Sequence, residues 1–512
     1  MPDYILEMRN ITKVFPGVKA LSEVDFKVIR GHVHALVGEN GAGKSTLIKI
    51  VSGVHPYGSY EGKVFWNGEE AKFKQISDVE TAGIGCIHQE LNLVPEMSVS
   101  ENIFLNKKPT HYGFIDFDKM YIDTIGLLKQ IGVNTDEKIV ISPDEKVKNL
   151  GIGQRQMVEI AKSLAKNVRL LIMDEPTAAL TEAEVDVLLG IVDKLRRQGV
   201  TIVYISHRLE EVPRIADEVT ILRDGRTITT KANTEIDKNT MISLMVGREL
   251  KNIYPRVPHS RGELVLSVKN YSVDNPDVPG KKLIDNVSFE AYKGEILGFS
   301  GLIGAGRTEL FTAIFGAFKE KGDGEIFLSG KKVTFKSPVD ALRHGFVLLS
   351  EDRKKFGLNL LMNVKENMTM TALWKVSHRG ILNENKEVFY TKDFMGRLKI
   401  SAPGIAVKVS TLSGGNQQKV VIGKALFCDS KVVVLDEPTR GIDVGAKYEI
   451  YKIMNKLVED GIVVIMISSE MEEILGMSDR ILTMAGGKIT GEFDKSEATQ
   501  EKLLRASVSR GK

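Results

Sequence analysis

The sequence predicts an α/β protein in which one domain occurs twice in tandem. The segment KNLGIGQRQMVEIAKSLAKNVRLLIMDEPTAALT returns in the second half as STLSGGNQQKVVIGKALFCDSKVVVLDEPTRGID, with Asp174 and Asp436 262 positions apart. Apolar runs of strand length, such as VHALV, RLLIM and TIVYI, alternate with helical patterns, which favours a mainly parallel sheet flanked by helices. Each half also has a glycine-rich loop between a predicted strand and a predicted helix.

The domain boundaries follow from the repeat. At 512 residues the chain is too long for one ordinary core. Prolines, a serine and a glycine in NIYPRVPHSRGELVL separate the two copies. We therefore expect a first domain over residues 4–250, a linker over residues 251–262 and a second domain over residues 263–508.

Composition excludes several classes of protein. The net charge of +3 provides no bulk basic field of the kind that attracts nucleic acid. Two distant cysteines, Cys86 and Cys428, cannot form a disulfide framework, and a reducing compartment is expected. The first residues lack the layout of a secretory signal, and no apolar run is long enough to cross a bilayer. Any work at a membrane is expected to require a partner.

The first half contains a phosphate-loop pattern, GENGAGKST. Its glycines allow backbone N–H groups to turn toward phosphates, and the following helix adds its dipole. Lys44 is expected to reach the β- and γ-phosphates of a nucleotide, and Ser45 is expected to bind Mg²⁺. The predicted nucleotide-binding residues of this loop are Gly38, Glu39, Asn40, Gly41, Ala42, Gly43, Lys44, Ser45 and Thr46.

The corresponding loop of the second half lacks the lysine. It retains the glycines and a hydroxyl, and comprises Gly301, Gly304, Gly306, Arg307 and Thr308. Arginine pairs with phosphate, but its wide planar fork does not reproduce a compact ammonium group at the γ-phosphate. We expect nucleotide binding to survive here while hydrolysis weakens.

An acidic pair ends an apolar strand in each half: Asp174 and Glu175 in the first, Asp436 and Glu437 in the second. Beside a phosphate loop, such a pair suits one carboxylate on Mg²⁺ and one that activates water. Without such a loop, it is most often an ordinary strand end. We expect Asp174 to bind the metal and Glu175 to be the catalytic base.

The segment LSGGNQQK, which precedes VVVLDEPT, resembles the signature of ATP-binding cassette (ABC) proteins, and the order of motifs is similar to this family over nearly the whole chain. Two fused cassettes with a short join and a degenerate second phosphate loop resemble the ATPase subunit of bacterial monosaccharide importers. The stretch SGVHPYGSYEGKVFWNG is most similar to the xylose members. The resemblance implies two P-loop NTPase domains of the ABC type, each with a helical signature subdomain, with ATP and Mg²⁺ as cofactors.

The resemblance also implies roles for three further residues of the first half. Phe15 matches the aromatic residue that stacks on adenine, Gln89 matches the glutamine that contacts Mg²⁺ and links the site to the membrane partner, and His207 matches the histidine at the γ-phosphate. From the residues alone, a core phenylalanine, a solvated glutamine and a structural histidine are commoner.

In this family each nucleotide is held between the phosphate loop of one cassette and the signature of the other. The site of Lys44 would be closed by Ser413, Gly414 and Gly415, and every expected group is present. The other site departs from the pattern at Arg307, Glu351 (the counterpart of Gln89), Ser469 (the counterpart of His207), Val278 (the aromatic position), Gly151 and Ile152 (the signature) and Thr181 (the counterpart of Asp443). Ile152 is expected to resist the backbone conformation and close approach that glycine permits. We therefore expect one hydrolytic and one degenerate site.

The implied partners are two membrane permease subunits and, through them, an extracytoplasmic sugar-binding protein, with this chain peripheral at the cytoplasmic face of the membrane. The segment ELNLVPEMSVSENIFL after Gln89 suits a partner's helix, or is an ordinary half-buried loop and helix. No sugar is expected to touch this chain.

Three alternative functions stay open. One is an ATPase subunit for another simple sugar: ribose, galactose or arabinose. Another is a twin-cassette protein acting on nucleic acid or the ribosome, which the short join, near-neutral charge and unclustered cysteines disfavour. The third is a regulatory subunit without turnover, which the complete first site disfavours.

Overall fold

The computed structural model describes residues 2–16, 18–88, 91–105, 108–133, 140–166, 168–177, 180–206, 208–247, 253–276, 278–302, 304–320 and 322–508. The chain divides into two compact units, residues 1–250 and residues 251–512. Both units have the same order of strands and helices except for the short additional helix Leu373–Val376 of the second unit, so the predicted α/β fold with a tandem repeat is confirmed.

The strands and helices of the first unit alternate along the chain. The strands are β1 Tyr4–Phe15, β2 Val18–Ile29, β3 Val33–Val37, β4 Glu61–Trp66, β5 Glu69–Glu70, β6 Ile84–Ile87, β7 Thr110–His111, β8 Phe114–Ile115, β9 Leu170–Asp174, β10 Thr201–Ile205, β11 Glu218–Arg223 and β12 Arg226–Ala232. The helices are α1 Lys44–Val51, α2 Ile76–Ala82, α3 Val99–Ile103, α4 Phe117–Gln130, α5 Ile152–Leu164, α6 Glu182–Arg197, α7 Val212–Ile215 and α8 Lys238–Val246.

The second unit repeats this pattern. Its strands are β13 Leu264–Asp274, β14 Lys282–Tyr292, β15 Ile296–Gly301, β16 Asp323–Leu328, β17 Lys331–Val333, β18 Phe346–Leu349, β19 Ser377–His378, β20 Ile381–Leu382, β21 Val432–Asp436, β22 Val463–Ile467, β23 Arg480–Ala485 and β24 Lys488–Asp494. Its helices are α9 Arg307–Ile314, α10 Pro338–His344, α11 Val364–Thr369, α12 Leu373–Val376, α13 Glu384–Arg397, α14 Gly414–Leu426, α15 Val444–Glu459, α16 Met471–Met477 and α17 Gln500–Val508.

Each unit is built on a six-stranded sheet, with strand order β12-β11-β3-β10-β9-β6 in the first unit and β24-β23-β15-β22-β21-β18 in the second. All neighbours are parallel except the antiparallel edge strands β12 and β24. A smaller antiparallel sheet accompanies it, with order β2-β1-β4-β5 or β14-β13-β16-β17. The parallel arrangement brings the carboxyl ends of β3, β9 and β10 to one edge.

The central strands are mostly apolar because both of their faces are covered. In β9, Leu171 and Met173 belong to one hydrophobic cluster, whereas Leu170 and Ile172 belong to another. The first cluster continues into α3, α4 and α5, which pack on one another as a helical subdomain. Helices α11, α13 and α14 do the same in the second unit.

Part of the segment predicted as a linker is built into the second unit. Tyr254 packs against Tyr451 with ring centroids 5.6 Å apart. The Arg256 side chain is buried, and its guanidinium donates to the carboxylate of Asp479 and, at 2.9 Å, to Oδ1 of Asn455. These contacts fix the segment of Tyr254 and Arg256 to helix α15 and to Asp479, the residue before β23.

A membrane span would require a long apolar helix, and none of the helices in the described part of the chain meets that requirement.

Candidate functional site

The first phosphate loop connects β3 to α1. Its backbone needs glycine at two places: Gly41 has φ +85° and Gly43 has φ +102°. A Cβ atom on Gly43 would also lie 2.6 Å from Cδ2 of Leu21. The Lys44 ammonium is buried and donates to the carbonyls of Gly38 (2.7 Å) and Glu39 (3.0 Å). The loop therefore holds a cation inside a ring of backbone groups at a helix N-terminus, as phosphate binding requires.

The first acidic pair stands at the same edge of the sheet. Asp174 is the last residue of β9 and pairs with Ile205 of β10, which in turn pairs with Leu36 of β3. Burial raises the pKa of Asp174, the charge of Glu175 adds to the effect, and Lys44 opposes it. Glu175 has φ +49° and its N–H donates to the Ile205 carbonyl at 3.0 Å. A glutamate with a left-handed backbone conformation is strained, and residues with such strain cluster at functional sites.

Phe15 ends β1 as a half-buried residue rather than a core residue. Its ring lies 5.5 Å from the ring of His55 and 5.2 Å from the Lys13 ammonium. The other two residues assigned from the resemblance, Gln89 and His207, lie outside the described residues.

In the second phosphate loop, between β15 and α9, Gly304 and Gly306 again have positive φ, at +81° and +98°. The cationic side chain of this loop has a different hydrogen-bond partner from that of Lys44. Arg307 is buried like Lys44, but its Nη1 donates to the carbonyl of Ser468 at 2.7 Å, just beyond the end of β22. Burial lowers the pKa of Arg307, and the charges of Glu437 and Asp436 oppose this. Arginine thus crosses to a neighbouring strand, whereas lysine stays within its loop.

Both carboxylates of the second acidic pair accept hydrogen bonds from side chains of the same unit. The Thr308 hydroxyl donates to Asp436 at 2.7 Å, and the Ser469 hydroxyl donates to Glu437 at 3.2 Å. Burial raises the pKa of Asp436 to about 6 and that of Glu437 to about 7. Glu351 is exposed and accepts from Arg440 at 2.8 Å. The structure therefore brings together the carboxylates, Arg307, Thr308 and Ser469 at one sheet edge.

The two signatures begin helices α14 and α5. Ser413 caps α14, and its hydroxyl accepts from Nδ2 of Asn416 at 3.0 Å. Gly151 occupies the same position before α5, where its N–H donates to the Gln154 side chain at 3.0 Å. Of the two signature helices, therefore, only α14 begins with a serine hydroxyl.

The expectation that Ile152 resists the backbone conformation of the signature was wrong. Ile152 and its counterpart Gly414 are each the first residue of a helix, a conformation open to any residue. What glycine provides at position 414 is space: a Cβ atom there would lie 2.9 Å from Nη2 of Arg353 and 3.2 Å from the Gly441 carbonyl oxygen, so the arginine would have to shift. The first unit has Leu91 at the position of Arg353, and Ile152 is 52% exposed.

Sequence reasoning missed two kinds of residue near these sites. Arg353 donates to the carbonyls of Arg440 (2.8 Å) and Gly441 (3.2 Å), which bridges the segment after Glu351 to the segment after the acidic pair. Glu211 and Glu473 are buried behind the acidic pairs. The repeat gave a signal for the glutamates, since they occupy equivalent positions in YISHRLEEV and MISSEMEEI.

This geometry defines a nucleotide-binding cassette, and comparison with known proteins agrees. The sequence matches the ABC transporter family over residues 21–178 and 284–440. It is 57% identical to the xylose import ATP-binding protein XylG of Thermoanaerobacter pseudethanolicus, with 98% of this chain and 99% of the relative covered. It is 54% identical to XylG of Moorella thermoacetica (99% of each chain) and 48% identical to the L-arabinose transport ATP-binding protein AraG of Geobacillus stearothermophilus (99% of this chain, 98% of the relative).

The chain belongs to the ABC transporter family, and each of its halves is one cassette. The prediction of this family from the motifs is confirmed.

Proposed function

We propose that this chain is the ATP-hydrolysing subunit of a bacterial importer of D-xylose. The observation that carries the proposal is the full-length similarity, at 57% and 54% identity, to two xylose import ATP-binding proteins. The arrangement of Lys44, Asp174 and Glu175 at one sheet edge supports hydrolysis. L-arabinose is a second candidate sugar because the arabinose relative is 48% identical.

The first cassette supplies the groups for hydrolysis. The Lys44 ammonium would exchange a loop carbonyl for a phosphate oxygen. Glu175 would accept a proton from the water that attacks the terminal phosphate, and its backbone bond to Ile205 fixes where the carboxylate begins. We infer from the resemblance that Phe15 stacks on adenine, that His207 contacts the γ-phosphate, and that Ser413, Gly414 and Gly415 complete the site when the cassettes close.

Mg²⁺ fits the oxygen donors of the first cassette. The Ser45 hydroxyl is exposed at the start of α1, and Asp174 is a carboxylate whose charged form is disfavoured by burial and by Glu175, a cost that a cation would relieve. Gln89 would be a third oxygen ligand. When bound with ATP, Mg²⁺ would neutralise charge on the phosphate oxygens.

We propose that the second cassette binds nucleotide without contributing to turnover. The cation of its phosphate loop is held by the buried Ser468 carbonyl, and Glu437 is held by Ser469 and has a raised pKa. ATP binding would close the cassettes and hydrolysis would release them, which couples chemistry to a permease with two subunits. The chain would then lie at the cytoplasmic face of the membrane, and the sugar would meet only the permease and its extracytoplasmic binding protein.

The test compares Glu175→Gln with Glu437→Gln in vesicles that contain the reconstituted transporter. We expect Glu175→Gln to lower sugar-stimulated ATPase activity at least about 100-fold, because a general base is removed. The matched change Glu437→Gln should keep activity within about twofold. Comparable losses of activity from both changes would contradict the proposed difference between the two cassettes. Stimulation of the ATPase activity by arabinose rather than xylose would identify arabinose as the transported sugar.

A further inference from the structure

Each unit contains a glutamate buried behind its acidic pair: Glu211 is 3% exposed and Glu473 is fully buried. A buried carboxylate is costly unless it is hydrogen-bonded. Oε2 of Glu211 accepts from the hydroxyls of Tyr204 (2.8 Å) and Ser206 (2.9 Å). Neither glutamate belongs to the phosphate loops, the acidic pairs or the signatures.

Glu211 connects two segments that hold proposed catalytic residues. Its partner Ser206 directly precedes position 207 in the sequence, and the Ser206 hydroxyl also accepts from the N–H of Arg208 at 2.9 Å, so the two residues that flank position 207 are bonded to each other. Its other partner, Tyr204, interacts with the side chain of Thr177, two residues after Glu175. One carboxylate therefore connects Ser206, on one side of position 207, through Tyr204 to Thr177, which follows the proposed catalytic base.

The second unit makes the same connection with different residues. Glu473 accepts from the hydroxyl of Thr439, the counterpart of Thr177, at 2.7 Å and from the hydroxyl of Ser468, the counterpart of Ser206. Met466 replaces Tyr204 there, and Tyr451 of α15 interacts with the glutamate instead. The connection between the two loops survives although its aromatic member comes from another element, which indicates that the connection itself matters.

We propose that Glu211 is a positioning residue for ATP hydrolysis: through Tyr204 and Ser206 it holds Thr177, two residues after Glu175, in register with the residues that flank His207. The inference rests on the proposed function of the first cassette. It requires no contact between Glu211 and nucleotide. Displacement of a catalytic group by about 1 Å costs about 100-fold in rate, so the loss of one buried anchor is expected to affect turnover more than ATP binding.

The experiment measures kcat and the KM for ATP of the reconstituted transporter with Glu211→Ala and Glu211→Gln. The matched controls are Glu473→Ala and Glu473→Gln. We expect Glu211→Ala to lower kcat about 100-fold while KM changes less than about threefold. Glutamine keeps an oxygen acceptor for both hydroxyls, so Glu211→Gln should recover most of the loss. Glu473→Ala should leave kcat within about threefold of the wild type.

Equal losses from the Glu211 and Glu473 changes, or a Glu211→Ala variant with unchanged kcat, would overturn the inference. If Glu211→Ala does not fold, Tyr204→Phe removes one donor to Glu211 without a large change in volume and should still lower kcat with KM unchanged. A wild-type transporter without ATPase activity would instead contradict the proposed function. An active wild type with an unaffected Tyr204→Phe variant would contradict this inference alone.

Discussion

Arg256 gives a test of whether the segment between the cassettes is a tether or part of the second cassette. Replacing Arg256 by alanine should lower the free energy of unfolding of the second unit by about 3 kcal/mol. The reason is its burial: the Arg256 side chain is 1% exposed, and Nε lies 3.1 and 3.2 Å from the two oxygens of Asp479, which is 22% exposed.

The magnitude follows from what the change leaves behind. Without Arg256, the Asp479 carboxylate retains the Ile296 N–H at 2.7 Å, and Oδ1 of Asn455 loses a charged donor. Removing one partner of a buried pair costs about 3–5 kcal/mol because the other charge stays uncompensated. Lys495 lies near Asp479 and would compensate in part, so we expect the lower end of this range.

The repeat provides the control. Asp217 is the equivalent of Asp479 in the first unit, where it accepts from the Val33 N–H at 2.8 Å and from Arg196 of α6 at 2.9 Å. Arg196 is 35% exposed, so Arg196→Ala should cost only about 1 kcal/mol.

The chain has two tryptophans, Trp66 in the first unit and Trp374 in the second. Variants that keep one tryptophan therefore report each unit separately in urea unfolding followed by fluorescence. If Arg256→Ala shifts the second transition no more than Arg196→Ala shifts the first, the segment is only a tether.

Two further predictions concern the phosphate sites. Burial raises the pKa of Glu437 from 4.5 to about 7, so the folded state holds a proton that the unfolded state has lost. The free energy of unfolding without nucleotide should therefore fall by up to about 3 kcal/mol as pH rises from 4.5 to 8. Glu437→Gln should remove this part of the pH dependence, measured from the Trp374 unfolding transition. Equal pH profiles for the wild type and Glu437→Gln would contradict the prediction. Gly43→Ala should weaken ATP binding at least about tenfold in a titration with fluorescent nucleotide, since its Cβ would meet Leu21 and Ala20. Gly41→Ala, with no atom within 4 Å of the new Cβ, is its control for backbone strain alone and should bind more tightly than Gly43→Ala.

The fold could be predicted from the sequence because its signals are local. The strands β3, β9 and β10 are short and mostly apolar, as is typical of strands in sheets that are covered on both faces. The phosphate loops could be predicted for the same reason, since glycine spacing and a following helix are features of one short segment. The carboxyl ends of parallel strands then had to meet at one edge.

Other features depend on residues far apart in the chain, and no local pattern contains them. Arg307 bonds to Ser468 across 161 positions, and Arg256 bonds to Asp479 across 223. The crowding that a side chain would meet at position 414 comes from Arg353 and from the Gly441 carbonyl, not from the signature itself. For this reason the sequence indicated that the second site is altered, while the error about Ile152 came from assigning to the backbone a constraint that a neighbouring side chain imposes.

The contrast between Lys44 and Arg307 gives a physical reason for the proposed difference between the two sites, although the substitution keeps the charge. An ammonium group presents three donors around a compact centre, so Lys44 can trade one loop carbonyl for a phosphate oxygen and retain the other. A guanidinium group is rigid, so while Nη1 is held by Ser468 the directions of its remaining donors are fixed by the protein. Moving it toward a phosphate would leave the buried Ser468 carbonyl without this donor, at a cost of about 1–3 kcal/mol.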